Sequence, residues 1–186
     1  MKLEQQLSAL RELGIALEPD VSIDDLLYSF EREAYEAKPF DALLFILGAT
    51  VEREPWERPF CRRVWGFDTE CIAQTGDYVA IAERLSELAG RPGALIDLRD
   101  HVDLDAGEAW IEYTIEGRRQ RWDIEVNDDW ADMMVVSYLM ADLERDGWKF
   151  RKRDNGQAMV LYYLDEARFA RLNQLAAEPL STMLVE

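Results

Sequence analysis

One histidine and two cysteines stand in 186 residues, and these scarcities remove most catalytic chemistries before any motif is sought. A single imidazole, His101, cannot build a histidine-rich metal centre and is the only candidate general base of its kind. Two cysteines close at most one disulfide, so a disulfide scaffold is excluded, and Cys61 and Cys71 read as free thiols. No phosphate-binding loop, dinucleotide fingerprint, HExxH helix, nucleophile elbow or paired CxxC is present. Long apolar runs are missing as well: Ala42–Leu47 falls far short of the ~20 residues that cross a bilayer. The start, Met1-Lys2-Leu3-Glu4, lacks the apolar stretch of a secretion signal, so a cytoplasmic location without membrane contact is expected.

Positive charge is also scarce. Lys and Arg number 21 against 38 Asp and Glu, a formal net charge of -17. Such a chain repels nucleic acid and anionic lipid at long range and draws basic proteins toward it. The expected partner is therefore a basic protein rather than nucleic acid, while the oligomeric state stays open, a dimer included.

Apolar material is plentiful. Hydrophobic residues make up 48%, with six Trp, seven Tyr and seven Phe, enough for a buried core. The length suits a single α+β domain over 1–186, with a helical N-terminal subregion at 1–50 and a sheet-containing core at 64–176.

Leu3, Leu7, Leu10 and Leu13 recur at helical spacing before Gly14, which predicts a helix over 2–13. Ser22 and Asp25 form a capping pattern for a second helix over 23–36, and a third runs from Pro39 to Gly48, with a buried strand as its competitor. Residues 52–63 read as a surface loop anchored by Trp56 and Phe60, followed by a strand over 64–72 and a helix over 77–89. Strands are expected at 94–102, 109–115 and 119–126, the last two joined through Glu116-Gly117-Arg118. Asn127, Asp128 and Asp129 cap a nearly all-apolar helix over 130–145. Strands at 148–151 and 158–164 flank an Asp154-Asn155-Gly156 turn, and Asp165 caps a last helix to Ala176. Adjacent hairpins favour an antiparallel sheet covered by helices rather than a doubly wound parallel one.

The densest charge lies between Asp97 and Asp132: twelve acids against four arginines, a balance of -8. With Gly117-Arg118 as a two-residue turn, Glu112 would face Asp123 on the outer sheet face, an unfavourable like-charge pair that invites a basic partner. Glu112, Glu116, Asp123, Glu125, Asp103 and Asp105, with Trp110 among them, are the candidate binding residues. The ordinary alternative is a solvated face screened by Arg121.

The run Asp97, Asp100, His101, Asp103, Asp105 has metal-ligand chemistry, but Gly107 comes one position too late for a calcium loop. No metal and no cofactor are expected. Cys61 precedes Arg62 and Arg63, whose charge favours a thiolate, yet no motif supplies its base; Cys71 reads as a small buried hydrophobe. Trp56, Phe60, Trp65 and Phe67 suit either core or an interface anchor, with core preferred. The basic run Lys149–Arg153 is expected to pair with the acidic face, within a dimer or along the sheet. In size, acidity and lack of a catalytic set the chain is similar in general character to bacterial toxin-immunity proteins, which implies neutralisation of a basic partner. Two other readings stand beside it. One is a carboxylate enzyme, metal-assisted or not, using Asp97, Asp100, His101, Glu112 and Asp123 in a cleft between hairpin and helix. The other is a structural or oligomeric module.

Overall fold

A computed structural model describes residues 1–155 and 158–183. In chain order the elements are α1 (Leu3–Glu12), α2 (Ile23–Ser29), α3 (Arg32–Ala37), α4 (Asp41–Ile46), β1 (Val64–Asp68), α5 (Asp77–Leu88) and β2 (Ile96–Asp103). There follow β3 (Glu108–Ile115), β4 (Arg118–Ile124), α6 (Met133–Leu143), β5 (Trp148–Asn155), β6 (Ala158–Asp165), α7 (Glu166–Leu175) and β7 (Ser181–Thr182). The class is α+β, with antiparallel hairpins, but the hairpins do not share one sheet. They lie in a four-stranded sheet of order β1-β6-β5-β7 and a three-stranded sheet of order β2-β3-β4. The chain folds as two compact units, one made of 1–67 with 147–182 and the other of 68–146.

In the first unit buried residues of the N-terminal helices share one hydrophobic cluster with Val160, Tyr162 and Leu164 of β6. Gln6 is fully buried and ties three helices together: its amide donates to Tyr35 O at 2.8 Å, while its oxygen accepts from Phe40 N at 2.6 Å. A buried amide is tolerable only when so satisfied. Tyr162, wholly buried on β6, donates to Leu44 O at 2.5 Å. Gly48 and Gly66 let the α4 exit touch β1: a Cβ on Gly48 would lie 2.7 Å from Gly66 N. The continuous helix expected over 23–36 is instead α2 and α3, broken at Phe30 in an extended conformation. The break has a tertiary cause, since it brings the Tyr35 hydroxyl back onto Leu26 O at 2.7 Å and sets Phe30 edge-on to the Tyr35 ring. The Asp154-Asn155-Gly156 turn runs into residues outside those described.

The basic run also belongs to this unit, and three of its residues form ion pairs there. Arg153 pairs with Asp41 and Glu178, Lys152 with Asp154, and Arg151 with Glu166. Phe60 and Phe67 are core, Trp65 packs on Phe67, and Trp56 is 59% exposed, so the 52–63 loop is anchored by Phe60 alone of the two aromatics.

In the second unit α5 packs against α6 and β2, on the apolar side of the three-stranded sheet. Val102, Ala109, Ile111, Tyr113, Ile115 and Ile124 are buried there, alternating with outward residues as a half-covered sheet requires. Tyr113 donates to Asp142 of α6 at 2.7 Å, and the Trp122 ring lies 4.3 Å from that of Tyr138. α6 is capped by Asp132, whose carboxylate accepts from Met134 N and Val135 N, not by Asn127, Asp128 or Asp129.

Candidate functional site

The outward face of β2-β3-β4 gathers most of the candidate residues, and its register decides what they can do. Ile115 pairs with Arg118, so the hairpin turn is Glu116-Gly117, two consecutive left-handed residues at φ 52° and 77° as in a type I′ turn. Glu112 therefore faces Arg121, and Asp123 faces Trp110. The expected Glu112–Asp123 like-charge pair does not exist. Tyr113 faces Gln120, and Trp122 Nε1 donates to the Tyr113 hydroxyl at 3.1 Å.

Glu112 has Arg99 directly opposite on one side, Arg121 on the other and Arg119 diagonally. Arg99 forms a short pair with one carboxylate oxygen; Arg119 donates at 2.9 and 3.2 Å and Arg121 at 3.3 Å. The Glu112 side chain is only 5% exposed although it points away from the core, because three guanidiniums lie over it. The Arg99 hydrogen bond does most to hold its carboxyl below the ordinary value, against the opposing loss of hydration, and Arg119 adds to the lowering. Glu116, at the turn, is held by Arg91 at 3.3 Å and by a short contact from Arg145. These two candidates are thus already paired within the unit.

The remaining acids collect at the other end of the same sheet. Asp103 faces Glu108 across the ladder, Asp105 sits in the turn between them, and Asp123 and Glu125 stand at the far end of β4. All five are exposed. Among the described residues the one cation in ion-pairing reach is Arg121, 3.8 Å from an Asp123 whose side chain is 90% exposed. Trp110 lies beside them, half-buried, with the Arg121 guanidinium 4.2 Å over its ring and His101 stacked at 6.0 Å. Glu108 escaped the sequence reading as a binding residue; its place in the register, opposite Asp103, is the signal that finds it.

The carboxylate-enzyme set is not brought together. Asp100 points to the inner side, where its carboxylate accepts from Gly76 N, Tyr78 N and Val79 N and caps α5. The space between hairpin and α6, the expected cleft, is filled by Tyr113, Trp122 and Tyr138. Among the described residues no group of three His, Cys, Asp or Glu side chains is placed to hold a metal ion. Cys61 is buried, and that burial pushes its thiol up despite Arg63. Cys71 lies beyond β1 and is exposed; partial burial, then the nearby Asp68, Asp77 and Asp129, raise it to about 11. Neither has the depressed pKa of a nucleophile.

No helix among the described residues is long and apolar enough to cross a membrane. No protein-family model, curated protein or solved structure matches the chain.

Proposed function

We propose that this chain is an acidic binding protein that takes a basic protein partner on the Asp103–Glu108 end of its three-stranded sheet, neutralising it as a toxin-immunity protein does. The observation that carries this reading is the set of five exposed carboxylates, Asp103, Asp105, Glu108, Asp123 and Glu125, served by one distant guanidinium. Unpaired charges of one sign cost a protein self-repulsion, and a complementary partner relieves it. The overall charge of -17 adds long-range steering, and Trp110 supplies an amphipathic anchor beside the carboxylates. Work in the cytoplasm fits the two free thiols.

The test compares the wild type with Asp103→Asn/Asp105→Asn/Glu108→Gln/Glu125→Gln and with a control in which four other exposed acids, Glu12, Glu33, Glu57 and Glu87, become Gln. Each is immobilised and challenged with extract of the source organism, and association rates of any retained basic protein are measured at two ionic strengths. The sheet variant should lose that protein while the control keeps it, with a wild-type on-rate that falls as salt rises. Equal retention by all three, or retention of no basic protein, refutes the proposal.

A further inference from the structure

The arginine end of the same sheet face holds more positive charge than its own carboxylate requires. Arg99, Arg119 and Arg121 all converge on Glu112, and because Arg121 also reaches Asp123 at 3.8 Å, Arg99 and Arg119 together carry one charge more than Glu112 requires. Their side chains remain 63%, 69% and 49% exposed, so they are not consumed by burial. A cavity of 460 Å³ opens here, walled by Asp97, Leu98, Arg99, Glu112, Thr114 and Arg119. Each guanidinium carries five N–H donors in a planar fork, and Glu112 uses only some of them. Among the described residues Arg99 and Arg119 have no carboxylate partner other than Glu112. Glu112, ionised and held from three sides, acts as a fixed post that orients the forks before any ligand arrives.

We propose that this cavity binds a small oxyanion, a phosphate or carboxylate group, between the outward donors of Arg99 and Arg119. Forked, charge-assisted hydrogen bonds are what planar guanidiniums offer to such groups. The chain's net charge of -17 and the Asp97 carboxylate on the rim select against a polyanion, which long-range repulsion would keep away. The Asp103–Glu108 end lies on the far side of Trp110 along the strands, so this site stands or falls separately from the proposed basic partner.

Inorganic phosphate and succinate serve as probes, each titrated against sodium chloride at matched ionic strength into the full chain. Side-chain Nε–H resonances of the arginines are followed by NMR. Either anion should shift Arg99 and Arg119 saturably, and whichever binds tighter assigns the group. Arg119→Gln should weaken binding about tenfold, and Arg119→Lys, which keeps charge without the fork, should also weaken it. Arg145→Gln, outside the cavity, should leave it unchanged. Absence of saturable shifts with both anions, or equal loss in Arg145→Gln, overturns the proposal. Should Arg119→Gln fail to fold, Arg119→Lys and the Arg99 resonance carry the test.

Discussion

Replacing Asp100 by alanine isolates the most concentrated structural use of a carboxylate in the three-stranded unit. Asp100 belongs to β2, yet it caps α5, whose own N-cap is Gly76, a residue with no side chain to offer. Its oxygens accept from Gly76 N at 2.8 and 3.0 Å, Tyr78 N at 3.0 Å and Val79 N at 3.3 Å. Loss of a capping side chain costs about 0.5–2 kcal/mol. Here the acceptor is charged and the Tyr78 N–H is buried, so an orphaned donor adds ~1–3 kcal/mol. Gly76 is exposed, and water replaces its bond at little cost. The expected total is about 3 kcal/mol for Asp100→Ala. Asp100→Asn keeps one acceptor but loses the charge at the helix N-terminus, which gives about 1–2 kcal/mol. Asp123→Asn, on the exposed side of the same sheet, should stay within ~0.5 kcal/mol. Urea titrations of the three variants, followed by circular dichroism, measure these differences. A cost below ~1 kcal/mol for Asp100→Ala, or one matched by Asp123→Asn, would refute the assignment of Asp100 to α5.

Glu112→Gln should lower the melting temperature, because it leaves Arg99, Arg119 and Arg121 facing one another; adding Arg119→Gln should recover part of the loss, and a thermal melt of both variants checks it. Trp122→Ala removes a ring packed on Tyr138 and a donor to Tyr113, and chemical denaturation should show a cost of about 3 kcal/mol, the lower end for a buried aromatic because Trp122 is only half-buried. Stability should fall at high pH. Burial raises Tyr35 and Tyr78 from 10.0 to about 12, so the folded state holds their protons longer than the unfolded chain, and their contribution, complete below pH 10, is lost as pH rises from 10.0 toward about 12. An acid limb comes from Asp25: burial opposes its ionisation, but Arg53 and Ser22 outweigh that and hold it below 3.8, so its stabilisation is present above pH 3.8 and lost as pH falls through its folded value. Asp25→Asn should flatten that limb in a pH series of melts.

Most elements were readable because their causes are local. The leucine spacing of α1, the Ser22–Asp25 pair at the start of α2 and the Asp165 cap of α7 each act within one turn of helix, and each stands where expected. The failures share a tertiary origin. No residue between Ser29 and Glu31 breaks helices by itself; the Tyr35–Leu26 bond, made across the break, favours two short helices over one long one. The cap of α5 was invisible for the same reason, since its carboxylate arrives from a strand 24 residues away. The separation of the hairpins into two sheets is also non-local: β5 and β6 join β1 and β7, an arrangement that hairpin-by-hairpin pattern cannot encode.

The charge reading of the sheet turned on a single residue of the β3-β4 turn. Moving the turn from Gly117-Arg118 to Glu116-Gly117 changes every cross-strand partner by two positions and leaves the faces unaltered, because the side-chain period is also two. This is why Ile111, Tyr113 and Ile124 face inward under either turn while the neighbour of Glu112 changes from Asp123 to Arg121. A left-handed Glu116 is a poor choice on local grounds, and glycine fits either central position of the turn. What sustains it is tertiary: Arg91 from the α5 exit and Arg145 from the α6 exit both hold the Glu116 carboxylate. With that register the charges of the sheet face divide between two opposite ends. Glu112 and Glu116 are spent on arginines near the turn, while the carboxylates of Asp103, Asp105, Glu108, Asp123 and Glu125 stand exposed at the other. A uniformly acidic face would attract cations anywhere along it, whereas on this divided one the partner we propose would have to set its basic group beyond Trp110 and away from Arg99 and Arg119.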